Sequence, residues 1–177
     1  MQRIAIDMDG VLADVYHQFF KMDEADFGRR RPMEEVAGKP ERDGFPHIMQ
    51  YVHTKDFFRT APLIEGCVPV MEELNKKYEL YIVSAAMEFP KSLEEKLEWM
   101  NRHFPFISWQ QIVFCGSKQI VQADIMIDDH FRNLDSFKGN TSLLFTQPHN
   151  VKANTGRHQR VNNWEDISKL LLPNSGA

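Results

Sequence analysis

A chain of 177 residues fits one domain with room for a small insertion. Its composition, 42% hydrophobic and 26% charged, supplies a core and excludes a disordered chain. The net charge of -4 argues against a nucleic-acid polymer or a membrane surface as partner, and no apolar run approaches the roughly eighteen residues of a membrane span.

Residues 3–8 form a short apolar run that reads as a buried strand, with no leader peptide before it, and it leads straight into Asp7, Asp9 and Gly10. Residues 11–21 read as a helix. From residue 22 to 61 charge and turn formers dominate: Arg29, Arg30, Arg31, Gly28, Pro32, Gly38, Pro40 and Pro46. Without a period-2 run, this stretch is expected to be short helices and loops, and an insertion of that size suggests a lid. Residues 68–77 then read as a helix, 80–83 as a strand, and Ser92–His103 as a helix in which Ser92 and Glu95 form a capping box. Ile112–Phe114, residues 125–127 and residues 142–145 read as strands, and residues 164–172 as a closing helix. Cys67 and Cys115 sit among apolar neighbours and read as buried free thiols, so a reducing cytoplasm is the expected location. The alternation predicts an α/β fold: a doubly wound parallel sheet, Rossmann-like, with a small helical cap inserted after the first strand. The expected division is a core of residues 1–14 and 62–177 and a cap of residues 15–61.

In such sheets the site lies outside the carboxyl ends of the strands, and polar residues recur there. Asp7 and Asp9 follow the first strand, Ser84 ends the second, Lys118 follows the third, and Asp128 and Asp129 end the fourth. An Asp after a strand is usually a turn former or a helix cap, and that reading is kept for Asp14 and Asp124. Asp7 and Asp9 differ, because acids at i and i+2 on a strand end face the same way and repel. Four acids brought together require a cation between them. Oxygen donors without a Cys or His cluster select a hard ion, and magnesium is the usual one beside phosphate.

Taken together, these residues resemble the four motifs of the haloacid-dehalogenase-like phosphatases: Asp7-Met8-Asp9-Gly10-Val11, an apolar strand ending in Ser84, Lys118, and Ile127-Asp128-Asp129. The opening Asp7 to Asp14, Lys55-Asp56-Phe57-Phe58, Gln111-Ile112-Val113 and His149-Asn150 are similar, within that superfamily, to the 5'(3')-deoxyribonucleotidases. The resemblance implies a phosphoric monoester hydrolase acting on a small-molecule phosphate monoester, as a monomer or homodimer. A phosphosugar phosphatase and a non-catalytic binding protein are the competing readings. Asp7 would be the nucleophile and Asp9 the general acid and base, with a metal contact from its backbone carbonyl. Ser84 and Lys118 would bind phosphate. Asp128 would ligate magnesium by its side chain, with Asp129 a second ligand or a holder of metal-bound water. Phe45, Tyr51, Phe57 and Phe58 are the aromatic candidates for a base pocket. Val15, Val52 and Glu88 depart from the animal members, which carry aromatic residues at the first two positions and lysine at the third.

Overall fold

The computed structural model describes residues 1–173. In chain order the elements are β1 (Arg3–Ile6), α1 (Val15–Phe27), α2 (Glu41–Gly44), α3 (Ile48–Tyr51), α4 (Cys67–Lys77), β2 (Glu79–Ser84), α5 (Ser92–His103), β3 (Ile112–Phe114), β4 (Ile125–Asp128), α6 (Phe131–Ser136), β5 (Thr141–Phe145), β6 (Gln159–Val161) and α7 (Trp164–Leu171). The six strands form one parallel sheet in the order β3-β2-β1-β4-β5-β6. The order reverses direction at β1, which lies between β2 and β4, and this sets the rim where their carboxyl ends meet.

Side chains alternate strictly across the sheet, as the pleat requires. Ile4, Ile6, Leu80, Ile82, Ile125, Ile127, Leu143 and Phe145 pack on one face with Met71 and Leu74 of α4, Trp99 and Met100 of α5, and Trp164 and Ile167 of α7. Ala5, Val83, Met126 and Leu144 pack on the other face with Leu134 of α6. Both faces are therefore covered, which is why these strands read as unbroken apolar runs.

One strand goes unannounced by the sequence and two local expectations fail, each for an identifiable reason. β6 has no apolar run to announce it; it forms because its backbone pairs with β5, Leu143 opposite Gln159 and Phe145 opposite Val161. The helix expected from residue 11 begins at Val15. Residues 8–13 are taken by a tight turn in which the Leu12 and Ala13 amides both donate to the Met8 carbonyl, and Asp14 caps α1 by accepting from the His17 amide at 2.9 Å. The capping box at Ser92 and Glu95 does not form. Lys91 occupies the cap position without a side-chain bond, and Glu95 is drawn into a tertiary contact described below.

Residues 15–61 carry short helices and loops, as expected, and a cluster of their own: Tyr16, Phe19, Phe45, Ile48, Tyr51, Phe57 and Phe58 pack on one another. The chain enters and leaves this segment side by side, with the Asp14 amide donating to the Pro62 carbonyl and the Ile64 amide to that of Leu12, both at 2.8 Å.

Candidate active site

The ends of β1, β2 and β4 and the turn after β3 bring Asp7, Ser84, Lys118, Asp128 and Asp129 together, and all five are buried. Lys118 lies between two acids, 2.7 Å from Asp7 Oδ1 and 2.6 Å from Asp128 Oδ2. Burial opposes its charge, but the Asp128 and Asp7 carboxylates outweigh burial, and its pKa is raised. Asp128 is fully satisfied: Lys118 donates to Oδ2, the His130 amide to Oδ1, and the Asn133 amide group to both. Burial would raise its pKa; Lys118 and these hydrogen bonds prevail and lower it. Asp7 behaves oppositely. Burial pushes it up, Lys118 opposes, Asp128, Asp129 and Asp9 add to the rise, and it reaches about 8.

Asp129 is the acid left open. Its Oδ1 is buried without a hydrogen-bond partner, and burial raises its pKa against the pull of His130 and His149. Ligand atoms from Asp7, Asp128 and Asp129 lie within 4.8 Å of one another. Three carboxylates this close, one with an orphaned oxygen, fit a hard oxygen-bound cation. The free oxygen belongs to Asp129, whereas both Asp128 oxygens are occupied. Lys118 and Asn133 reach Asp128, which leaves Asp129 the freer of the two acids.

Gly10 makes room for this acid. It adopts φ 75°, and a Cβ there would lie 2.3 Å from Asp129 Oδ2. Gly10→Ala is expected to cost about 1–2 kcal/mol in stability from the left-handed backbone alone. It should also weaken binding of a hard cation at Asp129, read as a smaller rise in melting temperature on addition of magnesium.

Lys96, which sequence reasoning passed over, also reaches the site. It is 1% exposed on α5, ion-paired with Asp9 Oδ2, and its ammonium lies 3.1 Å from Ser84 Oγ. Its ring partner is Phe58, with the centroid 4.5 Å from Nζ. A lysine one residue after Glu95 on an amphipathic helix reads as solvated; only its burial distinguishes it. Asp9 Oδ1 remains buried and unpaired.

A second group borders the floor. Glu41 of α2 lies 3.1 Å from His130 Nε2 and 3.3 Å from His149 Nδ1, and the two imidazole rings stack at 4.4 Å. Burial would raise Glu41, but His130 holds it at about 2. Burial would lower His130, but Asp129 and Glu41 raise it to about 10. His149 and Asn150 both bond the Asp129 carbonyl, and Asn150 also bonds that of Phe145. His158 is buried between Ser142 and Asp135.

A cavity of about 530 Å³ opens above the floor. Asp7, Asp9, Ser84, Lys96, Lys118 and Asp129 line its base, and Val15, Phe19, Val52, Phe58 and Phe89 form an apolar wall. Of the aromatic candidates only Phe58 lines it. Phe45, Tyr51 and Phe57 are at most 2% exposed and pack within the 15–61 cluster, because a segment this small needs its largest side chains for its own core. Among the described residues no helix is long and apolar enough to cross a membrane.

The chain is similar to known proteins along nearly its whole length. The chain is 42% identical over 171 residues to the 5'(3')-deoxyribonucleotidase of Bacillus subtilis, covering 96% of this chain and 98% of that protein. A protein of the same name from Bacillus phage SPbeta matches equally, at 42% over 171 residues with 96% and 98% covered. A haloacid dehalogenase-like hydrolase from Streptococcus pneumoniae shares the fold, with a TM-score of 0.63 at 16% identity over 96% of this chain and 98% of that one. So does the L-2-haloacid dehalogenase PA0810, with a TM-score of 0.58 at 13% identity over 97% and 99%. The model of the 5' nucleotidase, deoxy (pyrimidine), cytosolic type C family matches residues 1–175, and with the four strand-end motifs assembled on one floor the chain belongs to this 5'(3')-deoxyribonucleotidase family.

Proposed function

We propose that the chain is a magnesium-dependent cytoplasmic phosphatase that dephosphorylates (deoxy)nucleoside monophosphates through a covalent phosphate on Asp7. The observation that carries this reading is the convergence of Asp7, Asp129, Ser84 and Lys118, from separate segments, on one cavity floor. The carboxylates of Asp7 and Asp129 and the backbone carbonyl of Asp9 would hold the metal. Bound there, magnesium supplies the positive charge that lets the acids and a phosphate dianion share one site.

The Asp7 carboxylate attacks phosphorus, the bond to the substrate oxygen breaks, and an acyl phosphate remains. Asp9 donates a proton to the departing oxygen. It then takes one from the water that attacks the acyl phosphate, releasing inorganic phosphate and free Asp7. The Ser84 hydroxyl and the Lys118 ammonium bind phosphoryl oxygens, and Lys118 balances charge on them in the transition state. Asp128 keeps Lys118 in place at 2.6 Å.

Residues 15–61 act as a cap over a core of residues 1–14 and 62–177. The apolar wall supports a nucleobase in preference to a sugar, since a phosphosugar offers hydroxyls that this wall would leave unpaired. A panel of monophosphates, assayed for phosphate release with magnesium, tests the reading. Deoxyribonucleoside monophosphates are expected to give the highest kcat/KM. Chelator should abolish release and magnesium restore it, with calcium a poor substitute because its looser coordination misplaces the nucleophile. A phosphosugar with the highest kcat/KM would refute the nucleotide assignment, and full activity in thorough chelation would refute the metal.

A further inference from the structure

A lysine that is 1% exposed and ion-paired with only one oxygen of a carboxylate imposes an orientation on that carboxylate. Lys96 engages Asp9 Oδ2, and Asp9 Oδ1 is left buried and unpaired at the edge of the cavity. The ammonium is itself fixed on three sides: by Asp9, by Ser84 Oγ at 3.1 Å, and by the face of Phe58. A cation lying against a ring in a desolvated site is held there by the ring's quadrupole.

Phe58 belongs to the stretch by which the chain returns from the helical segment, and α5 grips this stretch along one face. Glu95 accepts from the amides of Asp56 at 2.7 Å, Phe58 at 3.1 Å and Arg59 at 3.4 Å. Glu98 pairs with the Arg59 side chain. Trp99 Nε1 donates to the Ala61 carbonyl at 2.7 Å, and Arg102 donates to that of Arg59 at 3.2 Å. Positions 95, 98, 99 and 102 lie on one helical stripe, so a single rigid element binds residues 56–61 and carries Lys96 beside them.

We propose that Lys96 is a positioning residue for Asp9: by holding Oδ2 it presents Oδ1 to the reacting oxygen, and docking of residues 56–61 on α5 holds Lys96 there through Phe58. The proposal rests on the reading of Asp9 as acid and base. It differs from a phosphate-ligand role for Lys96, because Ser84 and Lys118 would still bind phosphate in its absence. Positioning of a proton donor matters most when the leaving group is a poor one, such as the alkoxide of a nucleotide. It matters little when the group departs unaided, as nitrophenolate does.

The test uses the full chain with magnesium and compares wild type with Lys96→Met, and with Lys96→Gln should the methionine variant fail to fold. Turnover of a deoxyribonucleoside monophosphate is expected to fall on the order of 10²-fold, with the nitrophenolate burst from nitrophenyl phosphate falling less than about tenfold. KM should change less than about threefold, since no phosphate contact is removed. Phe58→Leu, which leaves Lys96 in place, should show the same selective loss to a smaller degree. A crystal structure of the Lys96 variant supplies a readout independent of activity: Asp9 should leave its position while Asp7 and Asp129 keep theirs. Absence of activity in wild type on every monoester would refute the proposed function, and the Asp9 position would still decide this inference. An unmoved Asp9, equal losses on both substrates, or a raised KM with kcat intact would overturn the role of Lys96. A Phe58→Leu enzyme with wild-type kcat would overturn the coupling to residues 56–61.

Discussion

Asp7→Asn is expected to give a folded protein whose turnover is lower by about 10⁴-fold or more, the scale on which loss of a covalent nucleophile acts in other hydrolases. An amide is a very poor nucleophile, and no neighbour can take its place. Asp128 is occupied by Lys118, Asn133 and the His130 amide, Asp9 is held by Lys96, and Asp129 is assigned to the metal in the proposed site. The fold should tolerate the change. Without metal the buried Asp7 carboxyl is raised from 3.8 to about 8, so its charge is already disfavoured in the folded state. The sign follows from linkage. A group that holds its proton in the folded protein and loses it in the unfolded chain lowers stability as pH rises between its two pKa values. The contribution of Asp7 in chelator therefore declines from near pH 4 to about pH 8, and the neutral amide removes that decline. Melts of metal-free wild type and Asp7→Asn should diverge in favour of the variant as pH is raised from 5 to 8. Near-normal turnover by Asp7→Asn would point to direct attack by water and refute the covalent route.

Asp9→Asn is expected to leave a folded, magnesium-binding protein with turnover of nucleotides reduced by about 10²–10⁴-fold for each proton transfer that is lost. The substitution keeps the backbone carbonyl and nearly the same shape. It exchanges the ion pair with the buried Lys96 for a neutral contact. Both chemical steps suffer: the alkoxide leaves without a proton, and the attacking water has no base. Nitrophenyl phosphate separates the two, because its leaving group needs little help in the first step but its phosphoenzyme still awaits a base. Acid-quenched samples should then contain phosphate covalently held on Asp7. Equal losses on both substrates, with no trapped phosphoenzyme, would leave Asp9 as a structural neighbour of the metal.

The departures at Val15 and Val52 acquire a physical meaning in the fold. Both face the cavity, where their small aliphatic surfaces leave width that aromatic rings would fill. Glu88, at the cavity rim, is paired with Arg132 at 3.3 Å, so the rim carries both signs of charge instead of a lone cation.

By itself the sequence determined the parallel α/β sheet and which acids stand at its strand ends, because both are written locally. Buried parallel strands are short apolar runs, and the candidate acids sit at the ends of those runs at Asp7, Asp9, Asp128 and Asp129, where spacing alone marks them. The tertiary structure decided whatever depends on which partner arrives first across the chain. Glu95 has a capping-box partner three residues away, yet accepts amides from residues 56–59, because a buried carboxylate gains more from three converging donors than from one exposed cap. Asp128 and Asp129 are adjacent and chemically equal in sequence. Only the approach of Lys118 and Asn133 to one of them leaves the other with a free oxygen. Phe45, Tyr51 and Phe57 were equivalent to Phe58 as aromatic letters, and packing sent three inward and one to the cavity. Lys96 has the spacing of a surface helix residue. Its place beside Asp9 is set by the docking of α5 on the sheet, a contact spanning 87 residues of chain that no local periodicity encodes.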